Sequence, residues 1–180
     1  TRAIKEGINL NHIFAICEDI RSTNNTIPII LMGYYNVIFN YGIKNFVNKC
    51  QKNGVDGLII VDLQPEEDLE LLSAMRSTNL SLIRLITPTT NIKRLEKILK
   101  NSSGFLYYIT ITGITGQKSA NLTDLKQSII NIKNKTKLPV VSGFGIKNRK
   151  HVKKVCEISD GAVVGSSIVK IIENNLNNKN

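Results

Sequence analysis

Glycine follows three consecutive apolar runs in the second half of the chain: Gly113 and Gly116 after the fourth run, Gly143 and Gly145 after the fifth, Gly165 with Ser166 after the sixth. Where no Cβ stands in the way, backbone N–H groups can close on an anion. A helix opening near Ser166 would add the positive end of its dipole. Gly116, Gly145, Gly165 and Ser166 are therefore candidates for a phosphate nest, with Gly143 beside them. One such glycine would be explained by the needs of a tight turn, but glycine at successive strand ends favours phosphate. Hydroxyl groups fall on the same side. Tyr34 and Tyr35 end the first run, Tyr107 and Tyr108 lie in the fourth, and Thr110, Thr112 and Thr115 lead into the loop after it. Adjacent strand residues face opposite ways, so only one of Tyr107 and Tyr108 can reach a site, and the other packs under helices.

Acid–base chemistry needs titratable groups beside the substrate. At the C-terminal ends of the runs only Asp62 qualifies, and Glu66 and Glu67 just beyond it read as first-turn acids of a helix. Asp56 and Asp160 precede their runs, where residues serve stability. The acid–base pair is thus incomplete. His12 and His151 lie among polar neighbours and read as surface residues, and no spacing of His, Cys, Asp and Glu suggests a metal site. Cys17, Cys50 and Cys156 are far apart without a CxxC pair, which argues against a disulfide framework and for plain buried or half-buried thiols.

The elements that must position these residues alternate. Strand-sized apolar blocks run from Ile27 to Gly33, Asp56 to Asp62, Leu80 to Thr87, Gly104 to Thr110, Leu138 to Gly145 and Asp160 to Ser166. They are nearly continuous rather than alternating, as in parallel strands covered on both faces. Helical periodicity fills the gaps over Tyr41 to Asn53, Glu66 to Ser77, Ile92 to Leu99, Asp124 to Ile132, Arg149 to Glu157 and Ser166 to Leu176. The repeat is strand then helix, which suits either a doubly wound sheet or a closed barrel. No GxGxxG opens a helix and no GxxxxGK[ST] occurs, so dinucleotide and P-loop sites have no support. Barrels hold phosphate after their seventh and eighth strands, where the last two runs would stand. The expected fold is therefore α/β, a (βα)8 TIM barrel with about six of its eight βα units present, strands 3 to 8. It would form a single partial domain over residues 1–180, an N-terminal part on the order of 60 to 80 residues being absent.

With 24 Lys+Arg against 14 Asp+Glu the net charge is +10, which would suit nucleic acid, an anionic membrane or a phosphorylated substrate. The densest basic cluster, Lys147, Arg149, Lys150, Lys153 and Lys154, has no interleaved aromatics and reads as a solvated face rather than a nucleic-acid patch. No apolar stretch is long enough to span a membrane and no leader pattern opens the chain, so a cytoplasmic protein is expected. The opening, TRAIKEG, reads as the middle of something.

The segments PIILMGYYNVIFNYG, GVDGLIIVDLQPEE, TPTT, GFLYYITITGITG, PVVSGFGI and DGAVVGSSIVKIIE, in this order and spacing, closely resemble the tryptophan synthase alpha chain family. The resemblance implies a lyase of L-tryptophan biosynthesis that cleaves indole-3-glycerol phosphate to indole and glyceraldehyde 3-phosphate by a retro-aldol step. It implies no cofactor of its own, pyridoxal phosphate being expected only on a partner beta chain in an alpha2beta2 tetramer. The family's phosphate positions match Gly116, Gly145, Gly165 and Ser166, its strand tyrosine matches Tyr107, and its lid hydroxyl matches Thr115. Tyr34 and Asp62 match the edge of the site, and a loop through Asn36 to Asn40 matches the surface facing the beta chain. Closing the lid would exclude water and retain indole. The family's two catalytic carboxylates belong to motifs resembling GIPFSDP and ADG, and neither motif occurs here. No catalytic residue is therefore assigned, and this polypeptide alone is expected to be inactive. Gln64 stands where the family usually has proline, which would loosen the turn after the fourth barrel strand, and Lys147 where serine commonly follows GFGI, which would add charge near the phosphate. Two alternatives share the glycine pattern: another phosphate-binding barrel enzyme, or an inactive fragment that only binds phosphate or a beta chain. With two strands missing, the first and last runs would be open apolar edges that invite aggregation.

Overall fold

The computed structural model describes residues 5–109, 120–143 and 145–176, and the side chains of all of these except Ala120 and Asn121. Backbone contacts group the chain into two compact units, Thr1–Ile83 and Arg84–Asn180.

In the first unit, helix α1 (Leu10–Thr23) leads to β1 (Ile30–Gly33), α2 (Tyr35–Tyr41), α3 (Ile43–Lys52), β2 (Gly57–Ile60), α4 (Leu69–Met75) and the first half of β3 (Ser81–Ile86). Strand β2 pairs in parallel with β1, Gly57 opposite Ile30, and with β3, Gly57 opposite Ser81. All four residues of β2 are buried, which is why it reads as an unbroken apolar run. Helices α1 and α3 pack through Phe14 and Phe46, whose tilted rings lie 5.8 Å apart over the buried Cys17, Val47 and Cys50. Burial pushes the Cys50 thiol up to about 12 and raises that of Cys17 too, so neither is a thiolate nucleophile at neutral pH. The imidazole of His12 helps to close the start of α1: Asn9 caps the helix, and His12 Nδ1 accepts the Asn9 N–H in return, at 3.2 Å. Before β2, the Asp56 carboxylate accepts the Ile29 N–H at 2.7 Å and pairs with Arg21 of α1.

The second unit continues β3 into α5 (Ile92–Lys100), β4 (Leu106–Ile109), α6 (Ala120–Lys133), β5 (Val140–Gly143), α7 (Arg149–Cys156), β6 (Gly161–Val163) and α8 (Ser166–Asn174). Each strand pairs in parallel with the next: Arg84 opposite Leu106, Leu106 opposite Val140, Val141 opposite Gly161. Along β4 and β5 burial alternates. Leu106, Tyr108 and Val140 enter a core with Leu95, Leu125 and Ile129 of the helices, while Tyr107 and Gly143 belong to the opposite, half-buried face. The pair Tyr107 and Tyr108 therefore divides as strand geometry requires, with Tyr108 the core residue. Asp160, just before β6, accepts the Val140 N–H at 2.8 Å and the Lys133 ammonium at 2.6 Å.

All six apolar runs contain strands, shorter than the runs themselves. Several expectations need correction. Asn36 to Asn40 is not a loop but part of helix α2, ended by Gly42, so the Tyr41 to Asn53 period describes α3 alone. Glu66 and Glu67 precede α4, which opens at Leu69 behind Asp68 and carries Glu70 as its first-turn acid. Cys156 is exposed rather than buried. Among the described residues, strand β1 has β2 as its sole neighbour and β6 has only β5. Met32 and Phe39 are more than half exposed, as are Ile168, Ile171 and Ile172 of α8, a helix that buries no residue. Among the described residues no helix is long and apolar enough to cross a membrane.

Candidate functional site

The C-terminal ends of β4, β5 and β6 and the helix after them enclose a cleft of about 800 Å³ lined in part by Tyr107, Gly143, Gly145, Gly165 and Ser166. Five of the nine candidate residues thus meet on one surface of the second unit. Each arrives by a definite local route. Gly143 closes β5 two residues along the register from Val141, the partner of Tyr107. The Tyr107 ring lies over it: a Cβ at Gly143 would sit 2.8 Å from Tyr107 Cζ and nearer still to the hydroxyl. Glycine here is a condition for the tyrosine to turn into the cleft. Gly145 holds φ at +51°, in the left-handed region that other residues seldom adopt, and so turns the chain back toward α8. The buried Ile146 follows, and its carbonyl accepts the Ser167 hydroxyl at 2.7 Å, tying this loop to the first turn of α8.

Gly165 caps α8 with no side chain, and nothing lies within 4 Å of where its Cβ would stand. The N–H groups of Ile168 and Val169 both bond to the Gly165 carbonyl, at 3.0 and 3.1 Å. Those of Ser166 and Ser167 come before any internal acceptor of the helix and face outward from its positive end. Burial raises the Tyr107 phenol above its usual range, so it stays protonated and can donate a hydrogen bond at neutral pH. Two cations, Lys147 and Lys170, also line the cleft, and among the described residues no aspartate or glutamate does. Helix N-terminus, turn amides, hydroxyl donors and ammonium groups together form an environment for an anion, and a phosphate monoester is of suitable charge.

The other candidates lie elsewhere. Thr115 and Gly116 are outside the described residues, as are Thr110, Thr112 and Gly113. Tyr34 and Asp62 belong to the first unit. Tyr34 stands exposed before α2, and Asp62 accepts the Tyr35 N–H at 2.7 Å, which joins the loops after β1 and β2. Sequence reasoning counted Lys147 in a solvated basic face and, from the resemblance, as added charge near the phosphate, and passed over Lys170 and Ser167. The spacing held a signal for Lys170, four residues after Ser166 and so on the same side of the helix. Among the described residues no three His, Cys, Asp or Glu side chains come together as a metal site would need.

A family model described as tryptophan synthase alpha chain matches residues 1–180. The fold is similar to the crystal structure of the tryptophan synthase alpha chain from Legionella pneumophila subsp. pneumophila, at 32% identity and a TM-score of 0.87, over 99% of this chain and 65% of that one. It is also similar to the alpha subunit from Campylobacter jejuni, at 35% identity and TM-score 0.86, over 95% of this chain and 68% of that one. A chain from the tryptophan synthase a2b2 complex of Pyrococcus furiosus matches at 34% identity and TM-score 0.87, over 97% of this chain and 70% of that one. The chain thus spans 65% of the length of the Legionella protein.

Proposed function

The chain belongs to the tryptophan synthase alpha chain family, a family of lyases with a TIM-barrel fold, and from that premise we propose that its cleft holds the phosphate of indole-3-glycerol phosphate for retro-aldol cleavage to indole and glyceraldehyde 3-phosphate. One observation carries the reading: Tyr107, Gly143, Gly145, Gly165 and Ser166 converge on a single cleft lined by two lysines and, among the described residues, by no acid. In this reading the free amides at the start of α8 and the Gly145 turn bind the phosphate oxygens. Tyr107, protonated, positions the part of the substrate nearest the strand ends. The remaining candidates, Tyr34, Asp62, Thr115 and Gly116, are substrate contacts on the strength of the resemblance alone.

Breaking the bond between indole carbon 3 and the glycerol chain needs two proton movements. Carbon 3 gains a proton, so the ring can accept the electron pair, and the adjacent hydroxyl loses one as it becomes the aldehyde. Two positioned titratable groups serve such a reaction, and the described lining of the cleft offers no carboxylate for either transfer. We therefore assign this polypeptide substrate binding without turnover, while the family relation supports no cofactor of its own and association with a pyridoxal-phosphate-bearing beta chain in the cytoplasm. Calorimetry with indole-3-glycerol phosphate, followed by an assay of indole release with and without a beta chain, tests this. Binding without release is expected. Indole release by the chain alone would contradict the missing acid and base, and failure to bind while another phosphate ester binds would favour a different phosphate-binding barrel enzyme.

A further inference from the structure

The cleft carries more positive charge than amides and a helix end supply. Lys147 follows Gly145 by two residues, and the intervening Ile146 is buried with its carbonyl held by Ser167, so the backbone that presents Lys147 is fixed against the first turn of α8. Lys170 lies on α8 in a stripe with Ser167, Ile171 and Asn174, all of which line the cleft at the three- and four-residue spacing of one helix face. Neither ammonium group makes an ion pair or hydrogen bond with a described residue, whereas Lys133 and Lys135 of the same unit pair with Asp160 at 2.6 Å and Glu96 at 3.4 Å. Two cations on one concave surface, with no acid among the described residues that line it, raise its positive potential, and a bound dianion relieves it.

We propose that Lys147 and Lys170 are phosphate-binding residues, which make this cleft select dianionic phosphate monoesters over uncharged analogues of the same carbon skeleton. The inference rests on the phosphate reading above but adds side-chain charge to a cradle otherwise made of backbone. Its test is calorimetry of the full chain with glycerol 3-phosphate, and with glycerol as the uncharged analogue, at low and moderate salt. Lys147→Ser and Lys170→Gln should each weaken glycerol 3-phosphate binding about three- to tenfold and flatten its salt dependence. Lys147→Arg should retain most of the affinity. Lys150→Ser, on α7 and outside the lining, should leave it unchanged. All these side chains are exposed, so folding is expected to be intact, and thermal melts verify it. If the wild-type chain binds glycerol 3-phosphate and both lysine variants bind equally well, the inference is overturned while the backbone cradle stands. If no variant and no wild-type chain binds, the phosphate reading itself fails and takes this one with it.

Discussion

Strands β5 and β6 are finished in opposite ways at their two ends. At the N-terminal end, Asp160 holds the Val140 N–H and the Lys133 ammonium, and its own N–H bonds to the Val140 carbonyl at 2.9 Å. The first unit repeats the device: Asp56 holds the Ile29 N–H and Arg21, and its N–H bonds to the Ile29 carbonyl at 2.8 Å. At the C-terminal end of β5 and β6 there are glycines, amides at a helix start and two lysines, with no acid among the described residues that line the cleft. Charge at one end is satisfied inside the fold. At the other it is left for something that binds, as expected where barrel loops carry function and the opposite face carries stability.

Substitutions at each end test this division, and the largest effect is expected where packing and site coincide. Gly143→Val would drive side-chain atoms into the Tyr107 ring, at a cost of about 2 kcal/mol from overpacking. A lower urea midpoint with loss of glycerol 3-phosphate binding is the expected result, and adding Tyr107→Ala should recover stability but not binding. At the other end, Asp160→Asn removes a charge partner from Lys133, whose side chain is itself 41% exposed. After solvent screening, a loss of about 1 kcal/mol is expected, with phosphate binding unchanged.

The pH dependence follows from the same residue. The hydrogen bond from Lys133, then that from Val140, hold the Asp160 carboxyl below its usual range. A carboxyl lowered by folding contributes stability above its unfolded value and loses it as pH falls through the folded one. Urea midpoints measured from neutral to acid pH should therefore fall less steeply for Asp160→Asn than for the wild-type chain. An effect no larger, and of opposite sign, is expected at Ser142, whose hydroxyl is fully buried between these ends with no hydrogen-bond partner among the described residues. Ser142→Ala removes an unsatisfied polar group and should raise stability by about 1 kcal/mol, read as a higher midpoint.

The strands were legible because their runs stay apolar whether both faces are buried, as in β2, or burial alternates, as in β4 and β5. Helix α1 was not, because its stripe is poor: of its apolar residues only Phe14 and Cys17 are buried, and Ile16 is 54% exposed. Helix α2 hid because YYNVIFNY follows the first strand without a break and only Gly42 separates it from α3. At the site, the glycines could be read because their demand is local: Gly145 needs its positive φ and Gly143 its missing Cβ. The lysines could be read only in part. The resemblance put Lys147 near the phosphate, but its neighbours Arg149, Lys150, Lys153 and Lys154, which belong to α7, made it look like part of a solvated face. The fold is what puts Lys147 and Lys170 in the lining of one cleft.

The central claim is that the amides at the ends of β5 and β6 bind one phosphate. Amide NMR of the isotope-labelled chain titrated with glycerol 3-phosphate tests it most directly. The account predicts the largest saturable shifts at Gly145, Gly165, Ser166 and Ser167, with Asp56 and Asp160 unmoved. Shifts centred at the N-terminal ends of the strands, or none at the four residues named, would contradict it.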